Sequence, residues 1–324
     1  MNLRCALLVN VLALIVAGSA AATSHATFPG RNGPIAFRQD HTFDTGFGVP
    51  LFRALPDGTQ VSVLSHRPGF FSDWRADGRR VAFDFFERDF DEQIATISAH
   101  GGGLRIITSG PGVHEVPSWS PGGRRIVYDF SPDDPNGPDF QTRLWTMRAN
   151  GRHARPLPMR RPGFDVEPRW APDGRRIAFD RLRLKGDGEQ QQAVFIVSAE
   201  GGRVRRLTPW RLNSEHPTWS PDSRWIIFDN SPDGAIQAVR PNGQERHTIM
   251  PASQGLGGHK PSFSPDGSRI IFMCENQGTL NQPPDDYSQD ICVMNADGSD
   301  IVKVIETPKR LENWPSWGPA PKRP

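Results

Sequence analysis

Cysteine is scarce in this chain, with three in 324 residues. That excludes a small scaffold stapled by many disulfides and a cysteine-based zinc module. An excess of one charge is lacking too: 38 lysines and arginines face 36 aspartates and glutamates. Such a balance leaves no strongly basic field to hold nucleic acid. Arginine pairs stand at Arg79–Arg80, Arg124–Arg125, Arg175–Arg176 and Arg205–Arg206. Their regular spacing reads as solvated strand ends, not as a cluster. Beyond Ala17 there is no long apolar run, so no second membrane segment is expected. The motifs that announce catalysis are missing as well. There is no G-x-S-x-G elbow, H-E-x-x-H pair, Walker loop or dinucleotide fingerprint.

What is present begins with a leader-like N-terminus. Arg4 supplies a positive charge, Ala6 to Ala17 is apolar, and small residues follow at Ala20–Ala22 and Ser24–Ala26. This order reads as a secretory signal peptide over residues 1–26, with a mature domain over 27–324. Retention of the segment as an N-terminal anchor is the alternative. Export leaves Cys274 and Cys292, an even pair in an oxidising setting, and a disulfide between them is expected.

Glycine (32) and proline (31) are plentiful and recur at regular intervals. They punctuate a repeat: FSDWRADGRRVAFD at 71–84, VPSWSPGGRRIVYD at 116–129, EPRWAPDGRRIAFD at 167–180, HPTWSPDSRWIIFD at 216–229 and KPSFSPDGSRIIFM at 260–273. A sixth copy, WPSWGPAPKRP at 314–324, starts and stops. The anchors Trp74, Trp119, Trp170, Trp219, Phe263 and Trp317 are separated by 45, 51, 49, 44 and 54 residues. A period in this range belongs to propellers, one four-stranded sheet per repeat. Each P-x-W segment reads as strand A, the P-D-G as a tight turn, and the alternating R-I-A-F-D stretch as strand B. Six further hairpin turns, such as PDG at 56–58, ANG at 149–151 and ADG at 296–298, join strands C and D. The chain opens on a strand B at Gly33–Phe37 and closes on a strand A at Pro315–Trp317. The expectation is an all-β, six-bladed β-propeller whose ring is closed by one C-terminal strand joining three N-terminal strands, which removes two exposed edges.

The W-S-P-D-G-R-x-I-x-F signature resembles the WD40-like (PD40-type) repeats of the TolB family propeller over residues 33–318. It is also similar to blades of dipeptidyl-peptidase and tricorn-type propellers. The TolB resemblance implies a protein-binding propeller of the periplasm or cell envelope. The α/β domain that precedes the propeller in TolB proteins has no counterpart between the expected cleavage site and residue 33. The hydrolase domain of the peptidases has no room here.

Strand direction places tight turns on one face and long loops on the other, where binding usually sits. The residues just before P-x-W would form a ring at the mouth of the channel on the loop-rich face. They are His114, Glu115, Glu167, Glu215, His216, His259, Lys260 and Glu312, with Asp165 and Asn313 beside them and Phe70, Phe71 and Asp73 in the first copy. Carboxylates and imidazoles suit a divalent cation, a basic group or a peptide terminus. They equally suit strand-end hydrogen bonding. Acidic loops at 133–139 and 285–290 raise a calcium reading without matching the EF-hand spacing. Trp210 and Trp314 lie outside the anchor column and are candidate ligand contacts. The leading reading is an exported, monomeric, non-catalytic module with no resident cofactor, holding a protein or peptide on its loop-rich face. The alternative is a metal-assisted carbohydrate lyase or hydrolase at the channel mouth.

Overall fold

The computed structural model describes residues 28–41, 49–88, 91–132, 141–186, 188–231, 233–252, 256–275, 289–307 and 310–321. The expected leader, the 133–139 loop and most of the 274–289 loop lie outside these residues. Of the second acidic loop, Gln289 and Asp290 are described, and Asp290 is buried against Lys303 at 2.7 Å.

The described chain is an all-β, propeller-like fold. It opens with β1 (Asn32–His41), β2 (Pro50–Ala54) and β3 (Ser62–Pro68). Then come four sheets in sequence order. The first holds β4 (Ser72–Trp74), β5 (Arg80–Arg88), β6 (Asp91–Ser98) and β7 (Arg105–Ile106). The second holds β8 (Val113–Trp119), β9 (Arg125–Ser131), β10 (Arg143–Arg148) and β11 (Arg155–Pro156). The short β12 (Met159–Arg160) joins the outer edge of the third: β13 (Phe164–Trp170), β14 (Arg176–Leu184), β15 (Gln190–Ser198) and β16 (Gly201–Arg206). The fourth holds β17 (Ser214–Trp219), β18 (Ile226–Asn230), β19 (Ile236–Val239) and β20 (His247–Met250). An eight-stranded sheet contains β21 (Gly257–Phe263), β22 (Arg269–Glu275), β23 (Gln289–Asn295) and β24 (Val302–Ile305), followed by β25 (Arg310–Pro319) with β1, β2 and β3. A single parallel bridge, Gln289 to Leu311, links its two halves. The last strand thus pairs antiparallel with the first, Ile35 opposite Trp317.

The repeat chemistry explains these elements. In the first hairpin Asp77 accepts the N–H of Arg79 at 3.0 Å, and Gly78 takes φ 68°. The same place in the fourth repeat is Ser223, held at φ 58° without glycine's freedom. The apolar residues of each second strand are buried on both faces, as Ile177, Ala178 and Phe179 illustrate.

The anchors pack between sheets. Trp74, Trp119, Trp170, Trp219 and Trp317 are each at most 3% exposed. Arg75, Arg125 and Arg176 lie over the Trp119, Trp170 and Trp219 rings of the next sheet at 5.8, 5.0 and 4.9 Å. Neighbouring inner strands are also stitched directly: Asp73 accepts the N–H of Trp119 at 2.7 Å, and Ser118 that of Trp170 at 3.0 Å. β4 packs against β8, β8 against β13, β13 against β17, β17 against β21, β21 against β25 and β25 against β4. At the last junction a Cβ on Gly318 would lie 2.2 Å from the Trp74 ring. Gly318→Ala is therefore expected to cost about 1–3 kcal/mol through overpacking. An unchanged denaturant midpoint would show that β25 and β4 are not pressed together.

A disulfide joins Cys274 in β22 to Cys292 in β23, with Cα atoms 5.7 Å apart.

Candidate binding site on the inner strands

Each inner strand except β4 breaks register just before or at its P-x-W segment, and β25 breaks a second time near its end. The shared breaks fall between Glu115 and Ser118, Val166 and Arg169, Glu215 and Thr218, and His259 and Ser262, and on β25 between Asn313 and Ser316. In every case a left-handed residue precedes a proline. Val116, Glu167, His216, Lys260 and Trp314 take φ of 48°, 52°, 53°, 55° and 56°. A non-glycine residue in this region costs about 1–3 kcal/mol, and bulges of this kind re-aim a side chain. Here they turn Glu167, His216, Lys260 and Trp314 toward one small cavity of about 50 Å³, with Phe71, Asp73 and Arg169 also lining it. The Lys260 ammonium sits 2.7 Å from the centre of the Trp314 ring, and Phe71 meets the same ring at 4.0 Å.

The bulges are held by carboxylates that sequence reasoning missed. Asp84, Asp129, Asp180 and Asp229 sit inside the second strand of four repeats and are 0%, 2%, 0% and 0% exposed. Asp180 accepts the N–H of His216 at 2.9 Å, and Asp229 that of Lys260 at 3.2 Å. Asp84 accepts the N–H of Phe71 at 2.7 Å. Asp84, Asp180 and Asp229 thus each reach a bulge or its equivalent on an inner strand. The signal was a charged residue directly after the apolar run of the strand in four copies of the motif, F-D or Y-D.

The charges divide into two regions. In one, Asp229 accepts from His216 Nδ1 at 2.9 Å and His259 Nδ1 at 3.0 Å. Burial works to raise the Asp229 carboxyl, but the two imidazoles outweigh it and hold it well below the usual range. Burial opposes protonation of His259, yet hydrogen bonds to Asp229 and Glu275 lift it to about 9. His216 rises for the same reason, with Asp229 and Glu167 outweighing burial. Burial pulls Lys260 down to about 7 against the attraction of Glu167 and Asp229. In the other region Asp84, Glu92, Glu115 and Asp129 gather. Burial first, then mutual repulsion, pushes Asp84, Glu92 and Asp129 well above the carboxylate range.

The sequence-derived ring therefore splits. Glu167, His216 and Lys260 line the cavity together with Trp314. His259 braces Asp229, and Glu215 receives the side-chain amide of Asn213 at 3.3 Å. Glu115 belongs to the acidic region. His114 packs against Tyr128 and Phe130, with Nδ1 3.2 Å from the Glu92 carbonyl. Glu312 is fully buried and accepts from Gln39 at 2.8 Å. Asp165 pairs with Arg181, and Trp210 packs on Phe195 beneath Arg183. Among the described residues no three His, Cys, Asp or Glu side chains have metal-holding geometry.

A repeated four-strand unit, stitched through its inner strands and presenting re-aimed polar side chains there, defines a β-propeller-type scaffold for ligand binding. The PD40 family model, the TolB β-propeller domain, matches residues 51–321, and the chain belongs to this family. The Tol-Pal system protein TolB of Anaeromyxobacter dehalogenans is 34% identical over 207 residues, 58% of this chain. The match covers only 42% of that protein's own length. An uncharacterized Agrobacterium fabrum protein is 22% identical over 258 residues, covering 67% of this chain and 85% of the relative. TolB from Acinetobacter baumannii superposes with a TM-score of 0.70 at 21% identity, covering 89% of this chain and 67% of that structure. The fold is what that similarity shows.

Proposed function

We propose that this chain is an exported, non-catalytic six-bladed propeller that binds a protein or peptide segment at the mouth of its channel. The eight-stranded sheet counts as two blades, since its halves share one bridge and each follows the repeat. Circular packing of the six inner strands supports a closed ring. The leader-like N-terminus and the Cys274–Cys292 bond support export to an oxidising compartment.

The observation that carries the binding reading is the strain. Five non-glycine residues hold left-handed backbone at equivalent places, and four of them line one cavity. Strain repeated in this way marks positions held for a ligand. Two carboxylates, Asp73 and Glu167, and three basic side chains, Arg169, His216 and Lys260, line the cavity, so a segment that presents a basic group to Glu167 and an acidic group beside it fits best. A random peptide library displayed on phage tests this. Selection on the purified protein should enrich sequences that set a basic residue beside an acidic one. Their synthetic counterparts should bind at least about tenfold more weakly to the Glu167→Gln variant, and also to Trp314→Ala if its melting curve shows it folded. Absence of enrichment, or affinity unchanged in Glu167→Gln, overturns the proposal.

A further inference from the structure

The balanced composition hides a segregation of charge. Among the described residues nine acidic side chains are buried, from Asp73 to Glu312, against one arginine, Arg38, one histidine, His114, and no lysine. The surface is left with the arginines. Their separation is sharpest in residues 141–164, which hold six arginines, His153 and no acid. Arg124 and Arg125 do stand at a strand end, as β9 opens at Arg125, but the register of the second sheet clusters them with other arginines. Arg125 lies directly opposite Arg148, and Arg155 opposite Thr146. Side chains alternate along a strand, so Arg125, Arg148 and Arg155 share one sheet face. With Arg124 and His153 they line a groove of about 530 Å³. Glu200 engages Arg125 at its edge, at 2.7 Å, and is itself 73% exposed. Among the described residues no acceptor pairs with the Arg124, Arg148 or Arg155 guanidinium. Like charges placed opposite each other in a sheet are unfavourable.

The other repeats supply an internal control. The turn after Arg148 and the turn after Arg240 have the same backbone. Gly151 donates to the Arg148 carbonyl at 2.8 Å, as Gly243 does to that of Arg240. His153 and Glu245, each two residues past the glycine, take φ 59° and 54°. Glu245 turns back and pairs with Arg240 at 3.1 Å. The turn after Asn295 repeats the arrangement, with Asp300 at φ 54° accepting from the Asn295 amide at 2.7 Å. In the second sheet the acid is replaced by His153, and Arg148 keeps its fork of donors for something else.

We infer that the Arg124–Arg148–His153–Arg155 groove is an anion site that takes a phosphate group, independent of the cavity on the inner strands. Planar guanidinium forks match phosphate oxygens in pairs, and three of them along one groove suit a ligand with more than one anionic oxygen face. The phosphate could belong to a soluble oligophosphate or to a phospholipid headgroup, and two assays separate them. The first is calorimetry with inorganic pyrophosphate. The second is co-sedimentation with phosphatidylcholine vesicles, with and without phosphatidylglycerol. Binding is expected in at least one, weakening as salt screens it. Pyrophosphate binding identifies the soluble source, and binding to phosphatidylglycerol vesicles alone identifies the headgroup. His153→Glu restores the acid of the sister turns and should fold unchanged, because Glu245 already occupies that backbone. It should weaken binding about tenfold or more. Arg148→Ala with Arg155→Ala should abolish it. No binding in either assay, or binding indifferent to His153→Glu, overturns the inference.

Discussion

Replacing Asp229 with alanine is expected to lower stability by about 3–5 kcal/mol, the cost of stranding buried charge by removing its partner. Three donors lose their acceptor at once: His216 Nδ1, His259 Nδ1 and the N–H of Lys260, now at 2.9, 3.0 and 3.2 Å. The imidazoles retain only Glu167 and Glu275, each 3.5 Å away. The Lys260 amide, held in a left-handed bulge, has no substitute. Thermal denaturation should show the midpoint falling by roughly 10 °C. Asp229→Asn keeps an oxygen for one donor and should lose less. A loss below about 1 kcal/mol for the alanine variant would mean that the imidazoles are not held as charged partners.

The sign of the pH dependence follows. His259 is raised in the fold to about 9, against about 6.5 when unfolded. Its stabilising contribution is complete below the unfolded value and disappears as pH rises through about 9. The gap between wild type and Asp229→Ala should therefore be widest near pH 6 and narrow toward pH 10. A gap that widens with pH would reverse the assignment.

The strands were legible because apolar alternation and P-D-G punctuation are local properties. The pairing of β25 with β1 was legible because the two ends of the chain are complementary fragments of one repeat. The bulges were not. Nothing in Val116, Glu167, His216, Lys260 or Trp314 as residue types announces positive φ, and the common feature, a proline at the next position, ordinarily signals extended backbone. Hence Glu167, His216 and Lys260 were expected near one another, whereas the left-handed backbone that aims them was not. His114 and Glu312, chosen by the same spacing, are absorbed by neighbouring strands. The basic groove was hidden for another reason. Composition averages buried carboxylates with exposed arginines, and only burial separates them.

The acidic region yields the second large effect, in the opposite direction: Asp129→Asn should stabilise the protein at neutral pH. Asp129 is 2% exposed and its Oδ1 has no hydrogen-bond partner. Burial, then repulsion from Glu115 and Glu167, holds its carboxyl well above the ordinary range. A folded-state value above the unfolded one makes the group costly as pH rises. Below about pH 4 both states are protonated and nothing is lost. Above it the fold keeps a proton that the unfolded chain releases, at up to about 1.4 kcal/mol for each pH unit. Asparagine has the shape of the neutral carboxyl and does not titrate. The variant should match wild type near pH 4 and exceed it by several degrees in melting temperature at pH 7. An equal gain at both pH values would trace the effect to packing instead, and a loss at pH 7 would show Asp129 ionised and paired. A carboxylate whose removal stabilises the fold is one the fold does not need. Together with the strained bulges beside it, Asp129 then counts as stability that the inner strands give up.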